Sequence, residues 1–506
     1  MATTIRTDAS PTPGLGSRIA AGFAAALGAV AAAAAFLALT VAPAEALPSY
    51  ARQTGQPCAA CHTAIPELTP FGRRFKIGGY TLQGGDWQGP PLAAMYIAGF
   101  THMNAPYDFT ATGAAWASNL ETLPPNAAVA PAGLRANDNL VSQQISGYLA
   151  GRLYGNVGSF IQVTGNPVAG TAFLDASDIR YADTFKLFGQ DTIWGIDANN
   201  TPTIEDPWNT TPAWGWPQFA STIAPAFAPP LTRIESGLGQ IVGGGGPYFF
   251  WNDMLYGALI AYKGLPLPLL QAFNDGNIGA FNTTDALSNV APYWRLALEP
   301  HWGSHYLMVG TFGMYSQITP GRVYGYGTDD YTDVGFDSQY QYDGDLYSVT
   351  VKLTEIMEWQ KLNSTFAQGG STNLSNRLNS FKANATFVWD HTYSIGFGYF
   401  NVAGSGDCNL YGSGNNVLCT PSAIGSTNAS YISSPNGSGL ILDLSYIPFA
   451  HGSPFPYNTW NARLGVQFTT YLHLYGGTSN FDGSYLAGVH NASGNNSVYL
   501  YALLAF

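Results

Sequence analysis

The chain contains 506 residues, of which 46% are hydrophobic and 10% charged, with a net charge of −12. Soluble proteins carry about 25% charged residues, so this composition argues against an ordinary soluble enzyme. The acid excess argues against a nucleic-acid partner and favours attraction of cations. After residue 46, no apolar run reaches the about 20 residues of a transmembrane helix. The abundant Tyr, Phe and Gly are instead typical of a transmembrane β-barrel.

Residues 1–46 have the features of a secretory signal peptide. Arg6 and Arg18 precede an apolar run over residues 19–40, and small residues at Ala44 and Ala46 provide a cleavage site. A permanent membrane anchor is the alternative, because the apolar run is longer than a usual signal core. We expect cleavage, since the rest of the chain is typical of an exported protein.

The pentapeptide Cys58-Ala59-Ala60-Cys61-His62 has the pattern of a c-type haem attachment site. Two thiols with this spacing can add to the haem vinyl groups, and the adjacent imidazole can bind the iron as proximal ligand. A zinc pair would need four ligands, and no second Cys/His pair lies nearby. A redox dithiol would need a βαβ context that is missing. We therefore predict one haem c on Cys58, Cys61 and His62.

A short helix is predicted just after this motif, with Thr69 as N-cap and Gly78 as its stop. Arg73 and Arg74 on this helix are candidate contacts for the haem propionates. The alternative is a helix docked on the barrel wall with its charges in water. Residues 47–90 are too few for an independent domain. We therefore expect them to form a haem-bearing plug in the mouth of a barrel over residues 91–506.

Two stretches carry a resemblance to a known family. Residues 48–62 (PSYARQTGQPCAACH), followed by 66–73 (PELTPFGR), resemble the fused monohaem cytochrome–porins from the outer membrane of iron-oxidising bacteria. Residues 199–215 also resemble that family, and the rest of the chain matches in pattern only. The resemblance implies a porin-like barrel that takes electrons from extracellular Fe(II). It also implies a periplasmic acceptor, either a c-type cytochrome or a cupredoxin.

Alternation with a period of two predicts an all-β fold, a transmembrane barrel of about 16 strands. Between residues 460 and 474, apolar Trp460, Leu464 and Phe468 alternate with polar Asn461 and Arg463. A soluble β-sandwich is the alternative, but it would carry more surface charge. The last strand ends in Phe506, the form of terminal strand expected in outer-membrane barrels. We predict strands at 92–104, 139–153, 157–165, 174–188, 191–200, 251–262, 265–275, 290–301, 304–316, 332–342, 346–359, 376–389, 393–403, 438–448, 458–474 and 496–506.

Short and long connections alternate between these strands. This alternation predicts that the first strand begins and the last strand ends on the periplasmic side of the membrane. The segment 265–275 is the weakest of the predicted strands, because it contains Pro266 and Pro268. Cys408 and Cys419 both lie in the long loop 404–437. In an oxidising compartment we expect them to form a disulfide rather than remain as thiols.

The distal haem ligand has to come from the barrel, because residues 47–90 contain no Met and only one His. His102 or Met103 is nearest in sequence, and a Met ligand would raise the reduction potential. A polar lumen role for His102, or an open or water-bound iron, is the alternative. The other candidates along the barrel are Met95, His305, Met308 and His473.

Acidic residues in the long loops are candidate contacts for Fe(II). Glu205 and Asp206 lie in one predicted loop, and Asp329, Asp330 and Asp333 lie around another. The alternative is that each is an ordinary solvated loop acid.

The predicted function is an outer-membrane iron(II):cytochrome c oxidoreductase that acts as an electron conduit. A solute-transporting porin with a structural haem and a haem conduit for another donor are the alternatives. Outer-membrane lipid is an expected partner, and so is a second copy of the chain in a homo-oligomer.

Overall fold

One antiparallel sheet dominates the computed structural model, which describes residues 48–85, 89–106, 134–273, 285–411, 434–452, 460–481 and 488–506. The α-helices are α1 Pro48–Thr54, α2 Cys58–Cys61, α3 Pro70–Ile77, α4 Leu267–Phe273, α5 Asn363–Ala367 and α6 Cys408–Tyr411. Short 3₁₀ turns occur at Pro212–Trp214, Pro320–Arg322, Gly488–His490 and Ala492–Asn495. None of the described helices is both long and apolar enough to cross a bilayer.

The sheet contains eighteen strand segments. These are β1 Leu92–Met103, β2 Asn139–Tyr154, β3 Val157–Asn166, β4 Thr171–Leu187, β5 Gln190–Asn199, β6 Val242–Trp251, β7 Leu255–Gly264, β8 Ala286–Leu287, β9 Ala291–Leu298, β10 His301–Trp302, β11 His305–Thr319, β12 Asp329–Asp343, β13 Tyr347–Lys361, β14 Ser375–Trp389, β15 Tyr393–Gly404, β16 Gly437–Tyr446, β17 Asn461–His473 and β18 Ser497–Ala505. Segments β8, β9 and β10 pair in turn along β11, so they form one interrupted strand.

The sheet closes on itself into a barrel of sixteen strands, as predicted. Strand β1 pairs with β2 on one side and with the C-terminal β18 on the other. The closing register runs from Met95 opposite Ala505 to Met103 opposite Ser497. Because every edge is paired, no backbone donors are left open to lipid along the seam.

The two faces of the barrel wall differ in polarity. In β14, Phe387 and Trp389 are exposed on the outside, whereas Thr386 and Val388 are buried on the inside. The outer face carries exposed Leu, Ile, Val and aromatic side chains around the barrel. A closed antiparallel barrel with an apolar outer face is the architecture of the bacterial outer membrane. The chain is an outer-membrane β-barrel protein.

Connections at the two ends of the barrel differ in length. One end carries the turns 155–156, 188–189, 252–254, 303–304, 344–346 and 390–392 and the connection 447–460. The other carries 104–138, 167–170, 200–241, 265–285, 320–328, 362–374, 405–436 and 474–496. Short turns face the periplasm in outer-membrane barrels, so we call the first end periplasmic and the second extracellular. Strand β1 starts and β18 ends at the periplasmic end.

One predicted strand is wrong and one real strand was missed, so the predicted total of sixteen strands is still correct. The predicted strand 265–275 is wrong, since Leu267–Phe273 is helix α4. Pro266 and Pro268 remove backbone donors that a central strand needs but that the first turn of a helix does not. Strand β6, which begins with Val242 and four glycines, was assigned to a loop instead.

Two segments occupy the interior of the barrel. The first, which we call the plug, contains residues 48–85 with helices α1, α2 and α3. The second, which we call the lumen loop, is the connection 200–241 between β5 and β6. Lumen-loop residues contact strands on opposite sides: Gln143 of β2 donates to the Ala220 carbonyl, and the Thr210 hydroxyl donates to Asp337 of β12. The lumen loop therefore crosses the barrel.

Candidate functional site

The two motif cysteines lie on one helical turn. Helix α2 contains only Cys58–Cys61, and His62 follows it in an extended conformation with its N–H bonded to the Cys58 carbonyl. Residues three apart in a helix share a face, so both thiols project to one side. Both cysteines are buried.

Helix α3 packs tightly on this turn and fixes its position. The Thr69 hydroxyl caps α3 by accepting from the Gly72 N–H at 3.1 Å, and it donates to the Ala60 carbonyl at 2.6 Å. A Cβ on Gly72 would lie 2.1 Å from the Cys61 carbonyl oxygen, so only glycine permits this approach. The helix predicted from its cap and stop residues is therefore also the support of the cysteine turn.

The residues present fit a c-type haem. Two thiols and an imidazole are the donor set that attaches and ligates this cofactor. The Nδ1 atom of His62 is buried and makes no hydrogen bond. Burial lowers the pKa of His62 to about 4, which keeps the imidazole in the neutral form that binds iron.

The two arginines predicted to contact propionates bind the barrel instead. Arg73 is buried and donates to Glu299 at 2.6 Å and to Gln341 at 2.6 Å. Arg74 forms an exposed ion pair with Asp253 in the β6–β7 turn. Each guanidinium has a carboxylate or amide partner on the barrel, so the structure gives the propionate contacts of Arg73 and Arg74 no support, and they stay predictions.

Further plug contacts with the wall were not predicted. Glu67 forms a buried ion pair with Lys352 of β13. Arg463 of β17 donates to the Ile65 carbonyl, and its guanidinium also pairs with Asp443 at 2.8 Å. The sequence placed Arg463 on the polar face of its strand, but periodicity alone does not name the partner across the lumen.

The plug also binds the lumen loop. The buried Lys76 ammonium donates to the carbonyls of Ile204 and Asp206 at 2.7 and 2.8 Å and lies 4.4 Å from the centre of the Trp214 ring. Burial and the nearby Arg180 lower the pKa of Lys76 to about 8. The Asn209 amide donates to the Pro66 carbonyl at 3.1 Å. The plug and residues 199–215 are therefore in contact.

The predicted distal ligands lie at the wrong end of the barrel. His102 and Met103 end strand β1 at the extracellular side, where His102 pairs with Asp138 at 2.6 Å. His102 lies ten positions along β1 from Leu92, which is roughly 33 Å. The plug contacts the periplasmic end, since Arg52 donates to the Leu92 carbonyl. His102 and Met103 are therefore excluded as distal ligands of a haem on Cys58 and Cys61.

The other four candidate distal ligands lie in different surroundings. His473 lies at the extracellular end beside Ser438. His305 stacks on Trp302, which is exposed on the outer face, and bonds the Tyr340 hydroxyl. Met308 is fully buried in a cluster with Ile77 and Trp208. Met95 packs near Tyr50 against the inner wall.

Most of the predicted Fe(II) contacts are engaged within the protein. Asp206 is fully buried and accepts from Arg295 at 3.2 Å; burial opposes its ionisation, but Arg295 and backbone donors hold its pKa at about 2. Glu205 accepts from the Tyr293 hydroxyl at 2.6 Å. These two acids are not on a solvated loop, so their assignment as surface cation contacts is wrong.

The second predicted acidic group belongs to strand β12 rather than to a loop. Asp329 accepts from the backbone N–H groups of Ser364 and Thr365 at the start of α5. Asp330 accepts from Gln317 at 3.1 Å. Asp333 is buried opposite Glu358 of β13. Within the described ranges, no group of three His, Cys, Asp or Glu side chains is arranged to hold a metal ion.

Only one cysteine of the predicted disulfide lies among the described residues. Cys408 opens helix α6 and is disulfide-bonded. Its predicted partner, Cys419, lies outside the described residues, as does the predicted signal peptide.

The chain is similar in structure to outer-membrane proteins of known structure. No family model and no curated protein matches the chain. Among solved structures, DcaP, an outer-membrane channel of Acinetobacter baumannii, is 12% identical with a TM-score of 0.39, covering 82% of this chain and 96% of that one. The anion-selective porin from Comamonas acidovorans is 10% identical with a TM-score of 0.38, covering 82% and 98%. OmpT of Vibrio cholerae is 9% identical with a TM-score of 0.36, covering 82% and 95%.

Proposed function

We propose that the protein is an outer-membrane electron conduit. In this proposal Cys58 and Cys61 hold one haem c, His62 binds its iron, and extracellular Fe(II) is the electron donor. A periplasmic c-type cytochrome or cupredoxin is the acceptor. The observation that carries the proposal is the attachment of a Cys-x-x-Cys-His segment to the inner wall at the periplasmic mouth of a closed barrel.

A haem held by Cys58, Cys61 and His62 would supply a one-electron centre between the donor Fe(II), which would become Fe(III), and the periplasmic acceptor. The chain's own residues determine where that centre lies. Buried ion pairs of Arg73 with Glu299 and of Glu67 with Lys352 tie the plug to β9 and β13. Glu299 directly follows β9 and Lys352 is the sixth residue of β13, so both pairs lie in the periplasmic half of the barrel. In this proposal the acceptor approaches the plug from the periplasm.

The choice of Fe(II) as donor rests on the resemblance of the plug and of residues 199–215 to the cytochrome–porins. The contact between these two stretches supports that choice, because the resemblance then belongs to one structural unit. A net charge of −12 is also compatible with attraction of a divalent cation. The insoluble Fe(III) product can stay outside the cell if the electron alone crosses the barrel.

The first test is whether haem is covalently attached, and the second is whether Fe(II) reduces it. The purified protein should retain haem stain after denaturation, and a Cys58→Ser/Cys61→Ser variant should lose it while keeping the barrel. Under anoxic conditions Fe(II) should then produce the reduced α-band. A haem that dithionite reduces but Fe(II) does not would overturn the choice of donor, leaving a conduit for another donor.

Passage of small solutes is the second candidate function, and the closed sixteen-stranded barrel favours it. The plug and the lumen loop, however, both lie in the path of a solute. Liposome swelling with sugars separates the two functions. The conduit proposal expects little uptake, and swelling at a porin-like rate would favour the solute channel.

A further inference from the structure

One side chain of the barrel wall contacts an attachment cysteine of the haem motif. Asn461, the first residue of β17, donates from its Nδ2 atom to the Sγ atom of Cys58. Both residues are buried, with 0% of Asn461 and 2% of Cys58 exposed. Alternation predicted a polar face for Asn461, but the two residues lie 403 positions apart in the chain, so the sequence could not show their contact.

From this contact we infer that Asn461 donates a hydrogen bond to the thioether sulfur formed when Cys58 binds haem, and that this bond raises the reduction potential of the haem. The inference rests on the proposed function and adds to it a wall residue that favours acceptance of the electron. Asn461 acts through the Cys58 sulfur, so it is a positioning residue and not a ligand of the iron.

The chemistry of attachment favours a hydrogen-bond donor at this position. When the Cys58 thiol adds across a vinyl group, its S–H bond breaks, the sulfur bonds to the vinyl carbon next to the ring, and the hydrogen goes to the outer vinyl carbon. A thiol can donate or accept a hydrogen bond, whereas a thioether can only accept. The Asn461 N–H therefore remains a suitable partner after attachment, and a carbonyl at the same place would not.

The other end of the Asn461 amide fixes its orientation. Its Oδ1 atom accepts from the backbone N–H of Ala462 at 2.7 Å. Because that N–H can only donate, the amide oxygen must face Ala462 and the amide nitrogen must face Cys58. The Asn461 backbone also pairs with Ala505 of β18, which holds the residue in the closed sheet. The wall therefore presents the donor to the sulfur in a fixed position.

The plug is held against the wall by more than this one contact. Arg463, two residues further along β17, donates to the Ile65 carbonyl just after the haem motif. The buried ion pair of Glu67 with Lys352 holds the same turn on β13. Cys58 should therefore stay near the wall when the Asn461 amide is replaced, so a variant can report on the hydrogen bond itself.

An N–H group directed at the sulfur favours the reduced haem. Reduction adds one electron, and the positive end of the N–H dipole stabilises the added negative charge. The dipole acts strongly in a buried site because little water is present to screen it. Hydrogen bonding around the cofactor is one of the means by which proteins set haem potentials. Asn461 should therefore make the haem a better acceptor of electrons from Fe(II).

Two further hydrogen bonds to the motif end on backbone oxygens. The Thr69 hydroxyl donates to the Ala60 carbonyl at 2.6 Å, and Nδ1 of His391 lies 3.3 Å from the His62 carbonyl oxygen. These contacts hold the backbone of the cysteine turn. Asn461 differs from them because it reaches the atom that would join the haem.

A redox titration of the haem in the purified full-length protein tests the inference. Asn461→Leu keeps the approximate size of the side chain and removes the donor. We expect covalent haem to be retained and the ferrous-to-ferric ratio at a fixed electrode potential to fall by about threefold. Asn384→Leu is the matched control, because Asn384 lies on β14 and its Nδ2 atom is buried without a hydrogen bond. This control should titrate like the wild type.

Three results decide against the inference or the function beneath it. If Asn461→Leu carries covalent haem and titrates like the wild type, the hydrogen bond is only structural and the inference is wrong. An equal shift in Asn384→Leu would also overturn it, because the effect would then be general to the wall. If the wild type carries no covalent haem, the proposed function itself fails, so the haem stain distinguishes the two failures. Asn461→Ala provides the same measurement if the Leu side chain prevents haem attachment.

Discussion

Arg73 and Arg74 are neighbours on helix α3, yet their surroundings differ greatly. The Arg73 side chain is 3% exposed and its ion-pair partner Glu299 is 6% exposed, whereas Arg74 and Asp253 are 47% and 49% exposed. Removing one partner of a buried pair leaves an uncompensated charge, while an exposed pair contributes little. The same chemical change at adjacent positions should therefore have very different consequences.

We predict that Arg73→Gln weakens docking of the plug by about 3–5 kcal/mol, whereas Arg74→Gln changes it by about 1 kcal/mol or less. Limited proteolysis and hydrogen exchange of the plug in the folded barrel measure the difference. Arg74→Gln controls for loss of a positive charge from α3. Equal protection of the plug in the two variants would contradict the anchoring role of Arg73.

Sequence alone could indicate the Cys58/Cys61/His62 motif because its signal is local. The partners of Arg73, Glu67 and Asp206 could not be predicted, since each pairs with a strand more than 80 residues away. Alternation shows which side chains face the lumen but not which of them meet across it.

At the scale of elements, strand β6 shows where periodicity fails. It begins with Val242 and four consecutive glycines, which have no side chains to alternate. The glycines have a steric reason: a Cβ on Gly244 would lie 2.3 Å from the Tyr262 ring, and one on Gly246 would lie 1.9 Å from the Leu259 carbonyl oxygen. The glycine-rich composition that indicated a loop is therefore the result of close packing of β6 on β7.

Gly246 and Gly245 provide a matched test of that packing. Gly246→Ala places a methyl group against backbone and should destabilise the barrel by about 1–3 kcal/mol. At Gly245 the nearest atom to an added Cβ is the Asp197 carbonyl oxygen at 3.5 Å, an ordinary contact. Gly245→Ala should thus be tolerated. Thermal unfolding in detergent measures both, and equal melting temperatures would contradict the assigned register.

The lumen loop should make barrel stability depend on pH. Burial raises the pKa of Glu205 from 4.5 to about 7, and one of its carboxylate oxygens is buried without a hydrogen bond. A raised carboxyl pKa favours the folded state below about pH 4.5, and that contribution is lost as the pH rises through about 7. Wild-type stability should therefore fall between these values relative to Glu205→Gln.

Urea unfolding of the two proteins at several pH values measures this difference. Comparison with Glu205→Gln cancels the groups that Glu205 does not influence. Lys76 is not one of them, because the Glu205 carboxylate raises its pKa, but that pKa of about 8 lies just above the window. Parallel stability curves for the wild type and Glu205→Gln would show that Glu205 does not bind a proton on folding.

For the whole molecule, the alternation of faces and of loop lengths was enough to predict a sixteen-stranded barrel whose first strand starts, and whose last strand ends, on the periplasmic side. It was not enough to predict what fills the barrel. The lumen loop resembles an external loop by length and composition, and only its contacts with β2, β9, β13 and β17 show that it crosses the interior. The plug and the lumen loop both lie in the path that a solute would take through the barrel.

Transfer across a bilayer tests this account most directly. Liposomes containing the oriented protein would enclose an oxidised c-type cytochrome, and Fe(II) would be added outside under anoxic conditions. The account predicts reduction of the enclosed cytochrome with the wild type but not with the haem-free Cys58→Ser/Cys61→Ser barrel. Equal reduction with both would show that Fe(II) passes through the lumen, and no reduction with either would refute the conduit.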